Sequence, residues 1–160
     1  MKRLLITGAS GYVGKSFIET FKNKAKIKTF SLQKETLENL DLTNINIIVH
    51  CAALVHQKKV HSQEAYDQVN VEYPLELAKK AKESGVTQFV YLSTIAVYGN
   101  TNDILTEKTN CLPLTLYGKS KFKAEQELLK LQDDTFKVSI IRTPIVYGYG
   151  VKANIKSLIN

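Results

Sequence analysis

The clearest chemistry lies in the sequence Tyr-Gly-Lys-Ser-Lys at positions 117–121. Tyr117 and Lys121 are four residues apart, so a helix through this segment places both side chains on one face. A phenol with a pKa of about 10 exchanges protons poorly at neutral pH, and a neighbouring ammonium lowers that pKa because it favours the phenolate. The pair therefore suits a reaction in which hydride and a hydroxyl proton leave a carbinol, or return to a ketone. A chance pair on a helix surface is the alternative.

A glycine-rich segment near the N-terminus predicts a second functional element. After an apolar run at residues 2–7, the sequence Gly-Ala-Ser-Gly-Tyr-Val-Gly fills positions 8–14 and opens a helical pattern. In a dinucleotide-binding turn the first glycine makes the tight turn, the second lets the backbone approach a pyrophosphate, and the third lets helix and sheet pack closely. We therefore predict cofactor contacts for these residues: Gly8, Ser10, Gly11, Tyr12, Val13 and Gly14.

Residues at the ends of the next two predicted strands bear on the identity of the cofactor. A carboxylate about 20 residues after the glycines commonly holds the adenosine ribose of NAD. Here Ser31 ends the second predicted strand and Lys34 follows it, so no carboxylate is expected to repel a 2′-phosphate and a lysine can attract it. NAD and NADP both remain, with NADP slightly favoured. Asp41 and Leu42 precede the third strand and are predicted to contact the adenine, with a turn cap as the alternative for Asp41. Small residues that end the third strand are predicted to let the cofactor cross the sheet edge: Cys51, Ala52 and Ala53.

Four motifs together resemble the extended short-chain dehydrogenase/reductases, the family of NAD-dependent epimerases and dehydratases. They are the glycine segment, Asn70 in the helical pattern of residues 66–84, Ser93-Thr94 followed by Val97-Tyr98-Gly99, and the segment at 117–121. The resemblance implies that Thr94 hydrogen-bonds the substrate oxygen, Tyr117 is the acid/base, and Lys121 anchors the cofactor ribose. It also implies that Asn70 supports the proton relay. An ordinary strand-end or helix hydrogen bond is the alternative for Thr94 and for Asn70.

The residues after Thr94 bear on the type of reaction. Relatives that dehydrate sugars carry Asp-Glu there, whereas this sequence has Ile95 and Ala96, whose aliphatic side chains exchange no protons. A sugar dehydratase is therefore disfavoured. Reduction of a 4-keto group and epimerisation at C4 both remain.

The segments at residues 53–56 and 150–154 are most similar to bacterial UDP-N-acetylhexosamine 4-epimerases and 4-keto reductases of surface-polysaccharide synthesis. This resemblance implies a nucleotide-sugar substrate, UDP-linked, with His56 near it and Asn154 on its diphosphate. A helix N-cap is the alternative for Asn154. Ile145 stands where many members of the family place a substrate-touching asparagine, so the identity of the sugar stays open.

The elements that must position these residues follow from the apolar pattern. Strands are predicted at residues 2–7, 27–32, 45–50, 88–92 and 137–142, and helices at 12–22, 66–84 and 117–131. Alternating strands and helices predict an α/β fold: a doubly wound (Rossmann) parallel sheet with helices on both faces. Pro74 predicts a kink or a later start in the middle helix, and residues 98–113 are predicted to form a long surface loop.

The length of 160 residues fits one domain. By the resemblance, residues 1–160 form the dinucleotide-binding domain of an extended short-chain dehydrogenase/reductase, and we expect the C-terminal substrate domain to be absent. The activity of the chain alone therefore stays open. A nonenzymatic dinucleotide-binding fragment, sensor or scaffold is the alternative to an enzyme.

Composition limits the class of partner. The formal net charge is +7, but the lysines at positions 22, 24, 26 and 28 come without a nucleic-acid-binding motif, so we predict no nucleic-acid partner. The apolar runs are too short to predict a membrane span or a secretory signal, so we expect a cytoplasmic protein. The histidines and the two cysteines show no spacing typical of a metal site. A homodimer is expected if the helices bearing Asn70 and Tyr117 have apolar outer faces.

Overall fold

The computed structural model describes residues 1–55, 62–101 and 104–148, in which five parallel strands form one sheet. The strands are β1 (Arg3–Thr7), β2 (Lys26–Phe30), β3 (Ile47–His50), β4 (Gln88–Thr94) and β5 (Lys137–Thr143). Their order in the sheet is β2-β1-β3-β4-β5. All five predicted strands are confirmed, and the reversal of direction after β2 is that of a doubly wound sheet.

Helices cover both faces of the sheet, as predicted. Helix α1 (Tyr12–Phe21) connects β1 to β2; α2 (Gln63–Asp67) and α3 (Tyr73–Glu83) lie between β3 and β4; and α4 (Leu116–Leu129) connects β4 to β5. Because right-handed crossovers that run in opposite directions along a sheet place their helices on opposite faces, α1 lies on one face and the other helices on the second. The predicted α/β class is therefore confirmed.

Alternate residues of each strand supply the two apolar faces. Leu5, Ile48 and Phe89 are fully buried in the main core, where they meet residues of α3 and α4 such as Leu77 and Leu128. The neighbouring strand positions, such as Leu4 and Val49, line the opposite face beside Phe17 and Phe21 of α1. This period of two is what a sheet buried on both faces requires.

The helical segment before β4 differs from the prediction at its start. It begins at Gln63 rather than at residue 66, and a π turn (Gln68–Glu72) separates α2 from α3. In that turn the Tyr73 amide donates to the Gln68 carbonyl, five residues back. The next residue, Pro74, has no N–H to donate, so the helical bond to the Asn70 carbonyl cannot form. Proline here marks the change from π to α geometry, not a later start of the helix.

The segment predicted as a long loop follows a 3₁₀ turn (Ile95–Tyr98) and contains no helix or strand in its described part. The Tyr98 hydroxyl donates to the Thr106 carbonyl at 3.0 Å, which fastens the loop to the end of β4. Among the described residues, none of the helices combines the length and the apolar character needed to span a bilayer.

The outer faces of α3 and α4 carry both charged and apolar residues. Exposed charged positions include Glu76 and Lys79 on α3 and Lys119 on α4, while Leu116 and Leu129 are exposed apolar positions of α4. The homodimer stays a prediction.

A buried ion pair joins α4 to β5. The Glu125 side chain is 2% exposed, and the Arg142 guanidinium contacts both of its carboxylate oxygens, the shorter distance being 2.7 Å. Ser93 donates a third hydrogen bond to Glu125, and Arg142 also donates to the Tyr98 hydroxyl at 2.9 Å. Since every partner is satisfied, the pair can be buried without leaving an uncompensated charge.

We expect Arg142→Met to lower the free energy of unfolding by about 3 kcal/mol or more, because it leaves the Glu125 carboxylate buried without its cation. Lys130→Met is the matched control, since Lys130 pairs with Glu127 at 2.6 Å on an exposed helix surface, where an ion pair contributes less than about 1 kcal/mol. Urea unfolding of both variants measures the difference. Equal losses would contradict a structural role for the buried pair.

Candidate functional site

The glycine-rich turn requires glycine at two positions, because neither Gly8 nor Gly14 has room for a side chain. Gly8 has φ +69°, and a Cβ there would lie 2.6 Å from the backbone nitrogen of Ala52. A Cβ at Gly14 would collide with the Gly8 carbonyl oxygen. The Gly11 amide donates to that same oxygen at 2.9 Å, and Gly11 is the N-cap of α1. The turn therefore brings β1, the end of β3 and the N-terminus of α1 into close contact.

A cleft of about 240 Å³ opens over this turn. It is lined by seven residues predicted to contact the cofactor, namely Gly8, Ser10, Gly11, Ser31, Cys51, Ala52 and Ala53. Leu32, Gln33, Val69 and Tyr73 complete the lining. The ends of β1, β2 and β3 thus meet at one edge of the sheet, as expected for parallel strands.

The other predicted cofactor residues do not line the cleft. Tyr12 directs its hydroxyl to the Tyr147 carbonyl at 3.4 Å, and Val13 packs towards the α1 face of the sheet. Asp41 accepts a hydrogen bond from the Thr43 amide at 2.8 Å, which is the turn cap named as its alternative. Leu42 is 2% exposed, and its side chain lies in the core.

Glu35 lies next to the cleft residue Ser31, and the sequence analysis missed it. Its carboxylate accepts a hydrogen bond from the Ser31 amide at 3.1 Å, so it lies against the end of β2. The position was detectable, since Glu35 follows Gly14 by 21 residues, within the spacing expected for a ribose-binding carboxylate.

Thr94 and Tyr117 lie side by side at the carboxyl end of β4. Thr94 is the last residue of that strand, and its hydroxyl is near enough to the Tyr117 phenol to lower the pKa of that phenol. The α4 N-cap is Thr115, whose side chain accepts from the Gly118 amide at 3.0 Å and so places Tyr117 in the first turn of the helix. The fold therefore brings two of the residues predicted to be catalytic together.

Lys121 lies one turn further along α4 and is 1% exposed. Its Nζ lies 3.8 Å from the centroid of the Tyr91 ring and has no hydrogen-bond partner among the described residues. Burial lowers the pKa of Lys121 to about 7, although Glu125 and Cys51 both act to raise it. Because Cys51 also lines the cleft, it links Lys121 to the glycine turn.

The predicted effect of Lys121 on the acidity of Tyr117 is not found. Burial raises the pKa of Tyr117, and the hydrogen bond from Thr94 opposes that rise. The physical reason is desolvation, because burial of the phenol disfavours its charged form. The expectation of a lowered tyrosine pKa is therefore wrong for the protein without a ligand.

Asn70 is buried and holds three parts of the site together. Its amide oxygen accepts from the Leu54 amide at 2.8 Å, and its Nδ2 donates to the Leu54 carbonyl and to Ser120 Oγ, both at 3.0 Å. Its main-chain carbonyl, freed by Pro74, accepts from the Tyr91 hydroxyl at 2.8 Å. Asn70 thus positions the loop after β3 against α4.

His56 and Asn154, predicted to contact the substrate, lie outside the described residues. Ile145 is described and is 56% exposed. Among the described residues, no three His, Cys, Asp or Glu side chains are grouped so that they could hold a metal ion.

The residues present fit a dinucleotide. The glycine turn lets a ligand approach the backbone at the N-terminus of α1, where unpaired amides favour a phosphate. Lys121 offers a buried amine with unused donors beside this cleft. Together they provide contacts for the middle of a dinucleotide and for a ribose.

Comparison with known proteins identifies the family. Residues 1–160 match the model of the RmlD substrate binding domain. The chain belongs to this family. Relatives of this chain include the UDP-glucose 4-epimerase of Vibrio cholerae, which is 34% identical over 98% of this chain and 56% of its own length. The methionine adenosyltransferase 2 subunit beta of Rattus norvegicus is 31% identical over 92% of this chain and 48% of its own length.

Solved structures agree with this RmlD-type fold. A dTDP-4-dehydrorhamnose reductase from Clostridium acetobutylicum superposes with a TM-score of 0.82 at 27% identity, covering 98% of this chain and 58% of that chain. MoeE5 in complex with UDP-glucuronic acid and NAD also gives 0.82, at 25% identity, covering 94% and 57%. The resemblance to nucleotide-sugar epimerases and reductases is confirmed. The chain spans about half the length of the curated relatives that it matches.

We expect Asn70→Ala to lower the free energy of unfolding by about 2–3 kcal/mol, because it leaves the partly buried N–H and C=O of Leu54 without their partner. Hydrogen exchange at the Leu54 amide should also accelerate. The matched control is Asn39→Ala, since Asn39 is exposed and donates to Thr36 at 3.2 Å. If Leu54 exchanges equally fast in both variants, Asn70 does not hold this loop.

Proposed function

We propose that the protein is an NAD(P)-dependent oxidoreductase that acts on a nucleotide-activated sugar, by 4-keto reduction or by C4 epimerisation. The observation that carries this proposal is the placement of Tyr117 beside Thr94, at the edge of the sheet that also holds the buried amine of Lys121 and the glycine turn. The named activities of the relatives support the substrate class. A cytoplasmic location belongs to the same proposal, as does a role in surface-polysaccharide synthesis, which follows from the resemblance alone.

The cofactor would occupy the cleft over the glycine turn. The backbone of Gly8, Ser10 and Gly11 would take the pyrophosphate, Ser31 the adenosine end, and Lys121 the ribose next to the nicotinamide. A bound nicotinamide would carry the hydride, and the protein would position it and handle protons. Structures of relatives in complex with NAD support this assignment.

Proton exchange would take place at the Tyr117 phenolic oxygen. In oxidation the phenolate accepts the hydroxyl proton of the carbinol, and in reduction the phenol returns a proton to the carbonyl oxygen. Thr94 would hold that substrate oxygen next to Tyr117. Lys121, held charged by a ribose, would lower the pKa of Tyr117, which burial raises in the protein alone.

The residues that follow Thr94 support oxidoreduction over dehydration. Ile95 and Ala96 form the start of the 3₁₀ turn, and neither side chain can exchange a proton. A Cβ at Gly118 would lie 2.6 Å from the Ala96 carbonyl oxygen, so α4 and this turn are in close contact. There is no carboxylate at these two positions to eliminate water.

A nonenzymatic dinucleotide-binding role is the second candidate. It is favoured by the similarity to methionine adenosyltransferase 2 subunit beta, a protein named as a subunit of another enzyme. This role requires the glycine cleft and Lys121 but not the proton chemistry of Tyr117. Binding and turnover therefore have to be measured separately.

We expect Lys121→Met to weaken binding of NAD or NADP by about tenfold or more, because a charge-assisted hydrogen bond to the ribose is lost. We expect Tyr117→Phe to leave that affinity within about threefold and to reduce turnover by about a hundredfold or more. Isothermal titration measures binding. Turnover is measured with UDP-glucose, UDP-N-acetylglucosamine and dTDP-4-keto sugars.

The control for the tyrosine variant is Tyr147→Phe, since the Tyr147 side chain is 75% exposed. Turnover by Tyr117→Phe at the wild-type rate would rule out the acid/base role. A wild-type protein that binds cofactor but turns over none of these sugars would favour the second candidate. Failure to bind either dinucleotide would exclude both.

We also expect the protein to prefer NAD, and Glu35→Gln to improve the affinity for NADP relative to NAD by about fivefold to tenfold, because a carboxylate next to a 2′-phosphate is repulsive. Glu38→Gln is the control, since Glu38 is exposed three residues further along the same segment. Competition titrations of both variants give the ratio. An unchanged ratio in Glu35→Gln would place the adenosine ribose away from this carboxylate.

A further inference from the structure

Two buried polar atoms have no hydrogen-bond partner among the described residues, and both lie beside the proposed cofactor site. They are His50 Nε2, on a side chain that is fully buried, and Lys121 Nζ, on a side chain that is 1% exposed. Buried polar atoms nearly always have a partner, because leaving one unpaired costs about 1–3 kcal/mol. The proposed cofactor would accept hydrogen bonds from Lys121 Nζ, but it does not explain the unpartnered Nε2 of His50.

Both atoms are arranged around the ring of Tyr91. The His50 ring stacks on it with centroids 5.7 Å apart and planes 14° apart, while Lys121 Nζ lies 3.8 Å from the same centroid. The Tyr91 hydroxyl is fixed by its bond to the Asn70 carbonyl. His50 and Lys121 are close enough to interact electrostatically, since Lys121 contributes to lowering the pKa of His50.

The other ring nitrogen of His50 already has a partner. His50 Nδ1 lies 2.9 Å from Thr7 Oγ1, and the nearby Ala52 main chain acts to raise the pKa of the ring. If Nδ1 carries the proton and donates it to Thr7, then Nε2 presents a lone pair to the interior. An ammonium has three N–H donors, so Lys121 can bind a ribose and still donate once more.

We propose that His50 is a positioning residue for Lys121, and that His50 Nε2 accepts a hydrogen bond from Lys121 Nζ through one buried water molecule. Such waters connect buried polar groups that have no direct partner. The link would hold the amine at the carboxyl end of β3 and β4, facing the cleft. Only its purpose depends on the proposed function, because the link itself needs no cofactor.

The charged and titratable groups facing Lys121 decide the sign of the effect. These are Glu125 on α4, Cys51 after β3, His50 on β3 and Tyr91 on β4. Burial lowers the pKa of His50 to about 3, so it stays a neutral acceptor at physiological pH. A hydrogen bond to the charged form of an amine favours that form, so losing the acceptor should lower the pKa of Lys121 further.

The test is the titration of Lys121 in the cofactor-free protein, followed by NMR of ¹⁵N-labelled lysine and assigned with Lys121→Met. We expect His50→Leu to shift the titration midpoint down by roughly half a pH unit or more. His50→Gln should stay near the wild type, since its Oε1 can accept. Phe89→Leu is the packing control, because Phe89 stacks on His50 at 6.0 Å and offers no polar atom.

A midpoint in His50→Leu equal to that of the wild type would overturn the proposal. So would an equal downward shift in Phe89→Leu. Should His50→Leu fail to fold, the ¹⁵N shifts of His50 in the wild type decide: a proton on Nδ1 supports the link, and a proton on Nε2 overturns it. The titration is done without cofactor. Failure to bind NAD(P) would therefore contradict the proposed function but would not change the result expected for the Lys121 titration.

Discussion

The hydrogen bonds of Asn70 are the constraint on which the rest of the site depends. Because Pro74 has no N–H, the Asn70 carbonyl has no helical partner and is available to the Tyr91 hydroxyl on β4. The same π turn presents the Asn70 side chain to the loop after β3 and to Ser120 on α4. One buried residue therefore joins two strand ends to the helix that carries the acid/base candidate.

This arrangement explains why Lys121 can be buried with an unused amine. Its neighbours Tyr91 and Ser120 are fixed through Asn70, so the side chain is held in the interior rather than extending into solvent. Burial then lowers its pKa to about 7 and makes its charge sensitive to whatever approaches Nζ. A ribose that accepts its hydrogen bonds would favour the ammonium, and the ammonium would in turn favour the phenolate of Tyr117. The acid/base pair would thus become competent only when a cofactor is in place.

The sequence predicted what depends on local pattern and missed what depends on tertiary contacts. Continuous apolar runs and the glycine spacing were enough for the five strands, α1 and the cleft. The π turn was not predicted because its cause is a missing hydrogen bond at Pro74, which no apolar periodicity records. The pKa direction of Tyr117 was wrong because desolvation is set by residues distant in sequence. Glu35 was missed because the acidic residue was sought at the strand end, while the turn after β2 folds it back onto Ser31.

Two buried charged residues on α4, one turn apart, show how the fold separates stability from chemistry. Glu125 is satisfied completely, by Arg142 and Ser93, so its charge is compensated and unavailable. Glu125 acts to raise the pKa of Lys121, but its carboxylate forms its ion pair with the Arg142 guanidinium. The Lys121 amine has no hydrogen-bond partner among the described residues, so its donors remain for a ligand. The charge of Glu125 thus joins α4 to the sheet, while the amine of Lys121 remains available at the site.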